Sequence, residues 1–241
     1  MAREMSESFS VRESGERAEG RWRMRGLKAT REGYAEGLLQ AGRINKRVVV
    51  VEGDVSRSIG SAAFGDEFPD RFFNLGASEQ DMMAEAAGLA LAGYIPFVST
   101  YGVFMAGRAW EQARTSVCYM DLNVRIGGAH GGVSVGPDGA THQALEDVAI
   151  MRVLPNMKVL VPADSSQTRA SVLASLEMEG PVYIRFGRNP VPQIYSEDDA
   201  VVLGKGNLLR SGKDVTLIAC GAMVAASLEA AECLSAGRGI E

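Results

Sequence analysis

The chain has 241 residues, 46% of them hydrophobic and 23% charged, the profile of an ordinary folded protein and not of a disordered or fibrous one. Thirty acids against twenty-five bases leave a net charge of −5, which argues against a general nucleic-acid or acidic-membrane surface. The longest mostly apolar stretch, Ala84 to Ala92, falls far short of the roughly 20 residues that span a bilayer, and no apolar signal segment opens the chain, so a cytoplasmic location is expected.

Residues 1–26 carry six Arg and five Glu with almost no periodic apolar pattern, which predicts a flexible N-terminal tail; an arm that orders on a partner is the other reading. Leu27, Tyr34, Leu38 and Leu39 then fall at helical spacing, with Gly42 as a stop. Val48–Val51 is a β-branched run too short for a helix and suited to a strand buried on both faces. Further strands are predicted at Phe72–Leu75, Phe97–Thr100, Val124–Gly127, Lys158–Val161 and Val182–Phe186. Helices are predicted at Glu79–Ala92, Phe104–Cys118, Gln143–Val153 and Ser165–Leu176. This alternation predicts an α/β domain, a parallel sheet sandwiched by helices, over residues 27–192.

A Pro-containing connector, Asn189–Pro192, and an acidic turn, Glu197-Asp198-Asp199, lead to residues 200–241. There Val215–Ala219 reads as a strand and Met223–Leu234 as a helix, the start of a second α/β domain. Some 40 residues bury too little to be stable alone. This unit is expected to be incomplete, leaning on another chain or cut short. The three cysteines, Cys118, Cys220 and Cys233, form neither a CxxC pair nor a disulfide frame and are expected to be reduced and mostly buried. The twenty-eight glycines are expected where the backbone turns tightly or approaches a ligand.

Ligands of open parallel sheets bind beyond the carboxyl ends of the strands. Those ends supply Glu52, Asp54, Ser56 and Ser58; Gly76 to Gln80; Tyr101 and Phe104; GGAHGGVSVGPDGATHQ over residues 127–143; and Gly187, Arg188 and Asn189. Both histidines, His130 and His142, lie in the Gly-rich segment, which makes it more than a plain connector, though histidines capping a surface loop remain the alternative. Glu79 opens a predicted helix, where the dipole favours a carboxylate and Ser78 or Asp81 could help with capping; that is a structural reason beside a catalytic one. Tyr101 and Phe104, three apart, suit either core packing or stacking on a flat heterocycle. No strand is followed by GxGxxG, and neither a phosphate-binding GxxxxGK[ST] loop nor a GxSxG elbow occurs. Two histidines twelve apart across glycines make no convincing zinc site, and no metal ligands are assigned.

The strings RFFNLGASEQDMMAEAAGLALAGYIPFVSTY, HGGVSVGPDGATHQALEDVAIMR and LPNMKVLVPADSSQTR resemble the pyrimidine-binding domain of the transketolase family, which uses thiamine diphosphate. The resemblance covers residues 27–192, with 200–241 similar to the start of the family's C-terminal domain, and it is nearest to the C-terminal subunit of split transketolases. It implies the thiamine diphosphate-binding fold and the following roles. Glu79 matches the catalytic glutamate, which hydrogen-bonds a ring nitrogen of the aminopyrimidine and favours the imino tautomer that deprotonates the thiazolium carbon. Tyr101 and Phe104 match aromatic residues lining the pyrimidine pocket, with Gly107 where many members have a third ring, and Asp54 matches an acid near the cofactor or subunit contact. His142, catalytic and substrate-binding, and Asp138 match residues that contact the donor's first hydroxyls, Pro137 standing where an acid often precedes Asp138. His130, Arg31, Ser58 and Arg188 match the substrate-phosphate cluster, an arrangement in which guanidinium forks suit phosphate oxygens.

The resemblance also implies that the diphosphate and its Mg2+ are held by a separate N-terminal subunit, because the GDG…N segment is missing here. The chain alone is then expected to be inactive and to bind the cofactor poorly, with an α2β2 heterotetramer as the working form. The implied activity is transfer of a two-carbon ketol unit from a ketose phosphate to an aldose phosphate, the chemistry of the pentose phosphate route. Alternatives are a related thiamine enzyme, either 1-deoxyxylulose-5-phosphate synthase-like or a 2-oxoacid dehydrogenase beta subunit, and a non-catalytic assembly subunit.

Overall fold

The structure, a computed structural model, describes residues 11–13, 24–196, 199 and 201–241. In chain order the elements are β1 (Val11–Glu13), β2 (Arg25–Ala29), α1 (Thr30–Ile44), β3 (Val48–Glu52), α2 (Ser56–Ile59), α3 (Ala62–Glu67), β4 (Phe72–Asn74), α4 (Glu79–Leu91), β5 (Ile95–Tyr101), α5 (Gly102–Gly107), α6 (Trp110–Gln112), β6 (Arg125–Ala129), α7 (Asp147–Arg152), β7 (Lys158–Leu160), α8 (Ser165–Ser175), β8 (Val182–Arg185), β9 (Pro190–Gln193), β10 (Gly206–Leu208) and α9 (Met223–Arg238). A six-stranded sheet in the order β4-β3-β5-β6-β8-β7 forms the centre, and every pairing in it is parallel.

The sheet is covered on both faces, as its uninterrupted apolar strands require. On one face Tyr34, Leu38 and Ala41 of α1 and Val172 of α8 pack on Val48, Val50, Phe97, Val182 and Ile184. On the other, Met82, Met83 and Ala86 of α4 and Met105 and Ala106 of α5 pack on Val51, Val98 and Ile126. The alternation of Val48 and Val50 with Val51 between the two cores is the period-2 alternation of a strand. Helices α1 and α8 approach so closely that a Cβ at Gly33 would run into the Ser165 carbonyl. Some glycines therefore serve helix contact as well as turns and ligand approach.

Chain order reverses between β3 and β5: the chain leaves β3 for the edge strand β4, then returns to the other side of β3 as β5. This is the crevice where open parallel sheets place their ligands. Ser58 and Tyr101 close over it, with hydroxyl oxygens 3.1 Å apart.

Several expectations are corrected. Leu27 lies on β2 and is 72% exposed, and α1 runs past Gly42 to Ile44. Pro190–Gln193 is a strand, antiparallel to β2, and not a plain connector. The predicted helix from Phe104 to Cys118 is divided into α5, α6 and a π-helical turn over Ala113–Cys118. Its buried stripe, Ala106, Ala109, Ala113 and Val117, nevertheless stays continuous, because burial and not hydrogen-bond register fixes that face. The helix expected from Gln143 begins at Asp147, since Ala144 is held outside it, its carbonyl accepting from Gly132 N at 2.9 Å. Val215–Ala219 is not a strand. Cys118 is buried, but Cys220 and Cys233 are exposed; all three are free thiols.

The tail expected over residues 1–26 lies mostly outside the described residues, although Val11–Glu13 pairs in parallel with β10. Of the acidic turn, Glu197 and Asp198 also lie outside them. Beyond β9, a small core of Ile194, Tyr195, Val224, Ala225 and Leu228 joins Ala163. Asp164 ties that core to the sheet: one carboxylate oxygen caps α8 by accepting from Gln167 N, and the other accepts from Ile194 N and Tyr195 N, each at 2.7 Å. Among the described residues no helix is long and apolar enough to cross a membrane.

Candidate functional site

Strand β4 delivers the chain to Gly76, whose φ of 73° turns it towards α4. Glu79 is the first residue of that helix and is 2% exposed. Its position at the helix N-terminus offsets part of the cost of burying a carboxylate. Ser78 contributes no side-chain cap; its hydroxyl donates to the Leu75 carbonyl at 2.9 Å. The carboxylate is met instead by Arg108, whose Nη1 donates to Oε2 at 2.6 Å. The same guanidinium lies over the Phe104 ring, 4.6 Å from its centroid.

Around Phe104 the predicted aromatic residues come together. Tyr101 and Phe104 have centroids 6.2 Å apart, and His142 stands edge-on to Phe104 at 5.0 Å. His130 lies against Tyr101 at 4.5 Å. One wall therefore carries both imidazoles of the chain and both predicted rings, beside the buried carboxylate. His142 Nδ1 is 2.9 Å from the Thr141 hydroxyl.

His130 is 1% exposed, has a φ of 54°, and neither ring nitrogen has a partner in hydrogen-bonding geometry. Burial pushes its pKa down to about 4, with the Arg31 and Arg188 charges acting in the same direction. The ring is therefore neutral near pH 7, with one N–H to give and one lone pair to offer. A buried ring nitrogen without a partner calls for an explanation, and a ligand is one. Arg31 Nη1 donates to the Ser58 carbonyl at 2.9 Å. Arg188 Nη1 donates to the Val135 carbonyl at 2.7 Å and pairs with Asp138 at 3.3 Å. Thr30 and Gly187 lock the two arginine-bearing segments together, the hydroxyl accepting from Gly187 N at 2.6 Å. The β2–β9 pairing, which local sequence patterns do not reveal, makes that contact possible.

Asp54 lies two residues past the end of β3. It is exposed, with a φ of 62°, and exchanges hydrogen bonds with Asn74 at 3.1 and 3.2 Å. Gly107 has open space where a side chain would project, so no third ring lines this side.

Sequence patterns did not single out Arg108, although its i+4 spacing from Phe104 on a helical stretch could have found it. They also missed the support beneath the Gly-rich segment. Asp147, fully buried, accepts from the Tyr183 hydroxyl at 2.8 Å and from Arg185 Nε at 2.9 Å. Arg185 in turn lies under Gly131 and Gly132, where a Cβ would collide with it or press on it. Glu52, buried at the carboxyl end of β3, has one oxygen accepting from Val55 N and the other without a partner. Burial pushes its pKa up to about 7.

These residues fit an aminopyrimidine, because the buried carboxylate and the adjacent ring face already receive a planar N–H donor, the Arg108 guanidinium. Among the described residues no group of three or more His, Cys, Asp or Glu is placed to hold a metal ion. A separate cleft of about 580 Å³, lined in part by Tyr195, Leu209, Leu217, Ala219 and Leu228, lies in the C-terminal section away from this wall.

Comparison with known proteins gives the arrangement its context. The family model described as "Transketolase, pyrimidine binding domain" matches residues 27–193, and "Transketolase, C-terminal domain" matches 204–241. A Methanocaldococcus jannaschii protein, provisionally named a transketolase C-terminal section, is 44% identical over 86% of this chain and 66% of its own length. A 6-deoxy-6-sulfo-D-fructose transketolase subunit of a Clostridium species is 42% identical over 87% of this chain and 65% of its own. This chain thus spans just under two thirds of the length of those relatives. A solved structure described as a split gene transketolase, an inactive beta4 tetramer, superimposes with a TM-score of 0.81 at 51% identity, covering 89% of this chain and 70% of that one. With the parallel sheet, the buried helix-tip carboxylate and the aromatic wall all lying inside the matched segment, the chain belongs to the transketolase family.

Proposed function

We propose that this chain is the pyrimidine-binding subunit of a thiamine diphosphate-dependent transketolase, moving a two-carbon ketol unit from a ketose phosphate to an aldose phosphate. The observation that carries the reading is Glu79: a carboxylate 2% exposed, at a helix tip, beside a ring face. Thiamine diphosphate, when bound, supplies a carbon nucleophile that accepts the ketol unit. The chain's own part is placement. Glu79 holds or shares a proton at a pyrimidine ring nitrogen, and Phe104 and Tyr101 sandwich or flank that ring. His142 and Asp138 orient the donor's hydroxyls. Arg31, Ser58, His130 and Arg188 clamp a phosphate, with neutral His130 acting as a hydrogen-bond donor. Asp54 belongs to the cofactor rim or the subunit contact.

In this reading the diphosphate and Mg2+ are held by an N-terminal partner subunit in an α2β2 assembly. Residues 27–192 are the pyrimidine domain and 200–241 part of a C-terminal domain. The similar split-gene beta4 tetramer is described as inactive, which supports the dependence on a partner. The Clostridium relative is named for a sulfonated sugar, which supports an anion clamp of the kind formed by Arg31, His130 and Arg188.

The test is co-purification with the partner subunit and an assay of xylulose 5-phosphate against pyruvate as donor. Ketol transfer from the sugar phosphate, lost by about 10²-fold or more in Glu79→Gln with the complex intact, is the expected result. Turnover of pyruvate would move the assignment to a synthase or 2-oxoacid dehydrogenase reaction. A complex whose activity is indifferent to Glu79→Gln would make this an assembly subunit.

A further inference from the structure

Arg108 holds two groups at once. Its Nη1 donates to the buried Oε2 of Glu79 at 2.6 Å, while its guanidinium carbon sits 4.6 Å from the centroid of Phe104. The Arg108 side chain is itself 51% exposed, whereas the carboxylate beneath it is 2% exposed. The arginine therefore reaches in from the surface and covers a polar group that would otherwise be a buried, uncompensated charge. A guanidinium is planar, carries N–H donors in its plane and stacks on aromatic faces. An aminopyrimidine ring has the same three properties. Both would hydrogen-bond Glu79, the guanidinium by donating to the carboxylate and the ring through a nitrogen that shares a proton with it, and both would lay a face on Phe104, so they cannot occupy the place together.

We infer that Arg108 is an internal stand-in for the cofactor's aminopyrimidine, occupying the Glu79–Phe104 slot until the ring displaces it. The inference rests on the reading of that slot as the pyrimidine site and adds a competitor built into this chain. The geometry gives the displaced side chain somewhere to go, because half of its surface already faces solvent. The side chain is no member of the adjoining core, in which Met105, Ala106 and Ala109 are fully buried. The stand-in keeps Glu79 paired in the cofactor-free chain, and it lowers apparent affinity by the fraction of time it fills the slot.

Titration of the chain in complex with its partner subunit, freed of cofactor, with thiamine, which has the aminopyrimidine but no diphosphate, separates the possibilities. The readout is thiamine affinity by calorimetry or saturation-transfer NMR, on wild type, Arg108→Gln, Glu79→Gln and the double variant. Arg108→Gln should bind thiamine about fivefold to tenfold more tightly than wild type, Glu79→Gln more weakly, and the double variant should lose the gain. Binding detectable only after Arg108→Gln counts as the same result. If Arg108→Gln binds equally or more weakly while Glu79→Gln still weakens binding, Arg108 is a fixed part of the slot: the inference is overturned and the slot assignment stands. If thiamine at millimolar concentration binds no variant, or binds all alike, the slot assignment fails and takes the inference with it. Should Arg108→Gln not fold, Arg108→Lys decides, because its compact, strongly hydrated ammonium lacks the planar face. Tighter thiamine binding than wild type supports displacement, and equal or weaker binding overturns it.

Discussion

Two β-branched, apolar runs, Val48–Val51 and Val215–Ala219, have opposite fates. The first is β3, flanked by β4 and β5, and every residue of it is buried. The second is not a strand, and its Ile218 is 89% exposed. Strand propensity records a fit to neighbours more than a property of the run itself. The contrast extends to the two regions. The sheet region has two continuous cores and carries the candidate site, while the C-terminal section rests on one helix face and the Asp164 tie.

The largest expected effect is at the base of the Gly-rich segment. Asp147→Ala strands Arg185 and removes the acceptor of the Tyr183 hydroxyl, which should cost about 3–5 kcal/mol, read as a shift in the urea midpoint at pH 7. A shift near zero would mean that this buried ion pair does not support the segment carrying His130.

Cavities sharpen the comparison between regions. Leu38→Ala, in the sheet core, should cost about 3 kcal/mol and lower hydrogen-exchange protection throughout β3 and β5. Leu228→Ala, in the small C-terminal core, should cost about 2 kcal/mol, the low end for a buried leucine, and it should lower protection in α9 alone. Equal costs with shared loss of protection would show the two regions to be one cooperative unit.

The smallest effect is a slope with pH. With its pKa at about 7, Glu52 binds more protons folded than unfolded between the ordinary carboxylate value of 4.5 and about 7, so stability falls as pH rises through that window. Glu52→Gln should remove the slope and stabilise the chain by about 1–3 kcal/mol at pH 8. His130 acts in the opposite sense. Its pKa is lowered from 6.5 to about 4, so the unfolded chain binds the extra proton between those values and stability rises with pH there. Thermal melts of Glu52→Gln from pH 4 to 8 should therefore show a rise to about pH 6.5 and then a plateau; a decline from pH 5 to 7 would contradict the assignment.

Much of the sheet was legible because buried parallel strands announce themselves as short apolar runs, and Val48–Val51 or Val182–Phe186 could be read without context. Glu79 was legible by its place between a strand end and an apolar helix. What stayed hidden is non-local. The pairing of β2 with β9 joins segments about 165 residues apart, and a Pro-rich stretch gives no local sign that it will pair. Asp147, Tyr183 and Arg185 meet only through the fold. The contact of Arg108 with Glu79, 29 residues away in sequence, is likewise made only by the fold.

The most direct test of the account is a structure of this chain with its partner subunit and thiamine diphosphate. The account predicts a Glu79 carboxylate oxygen within about 2.6–3.2 Å of a pyrimidine ring nitrogen, with the ring lying on Phe104 and Arg108 turned away. A Glu79 side chain remote from the cofactor, or still held by Arg108 while the pyrimidine sits elsewhere, would contradict it.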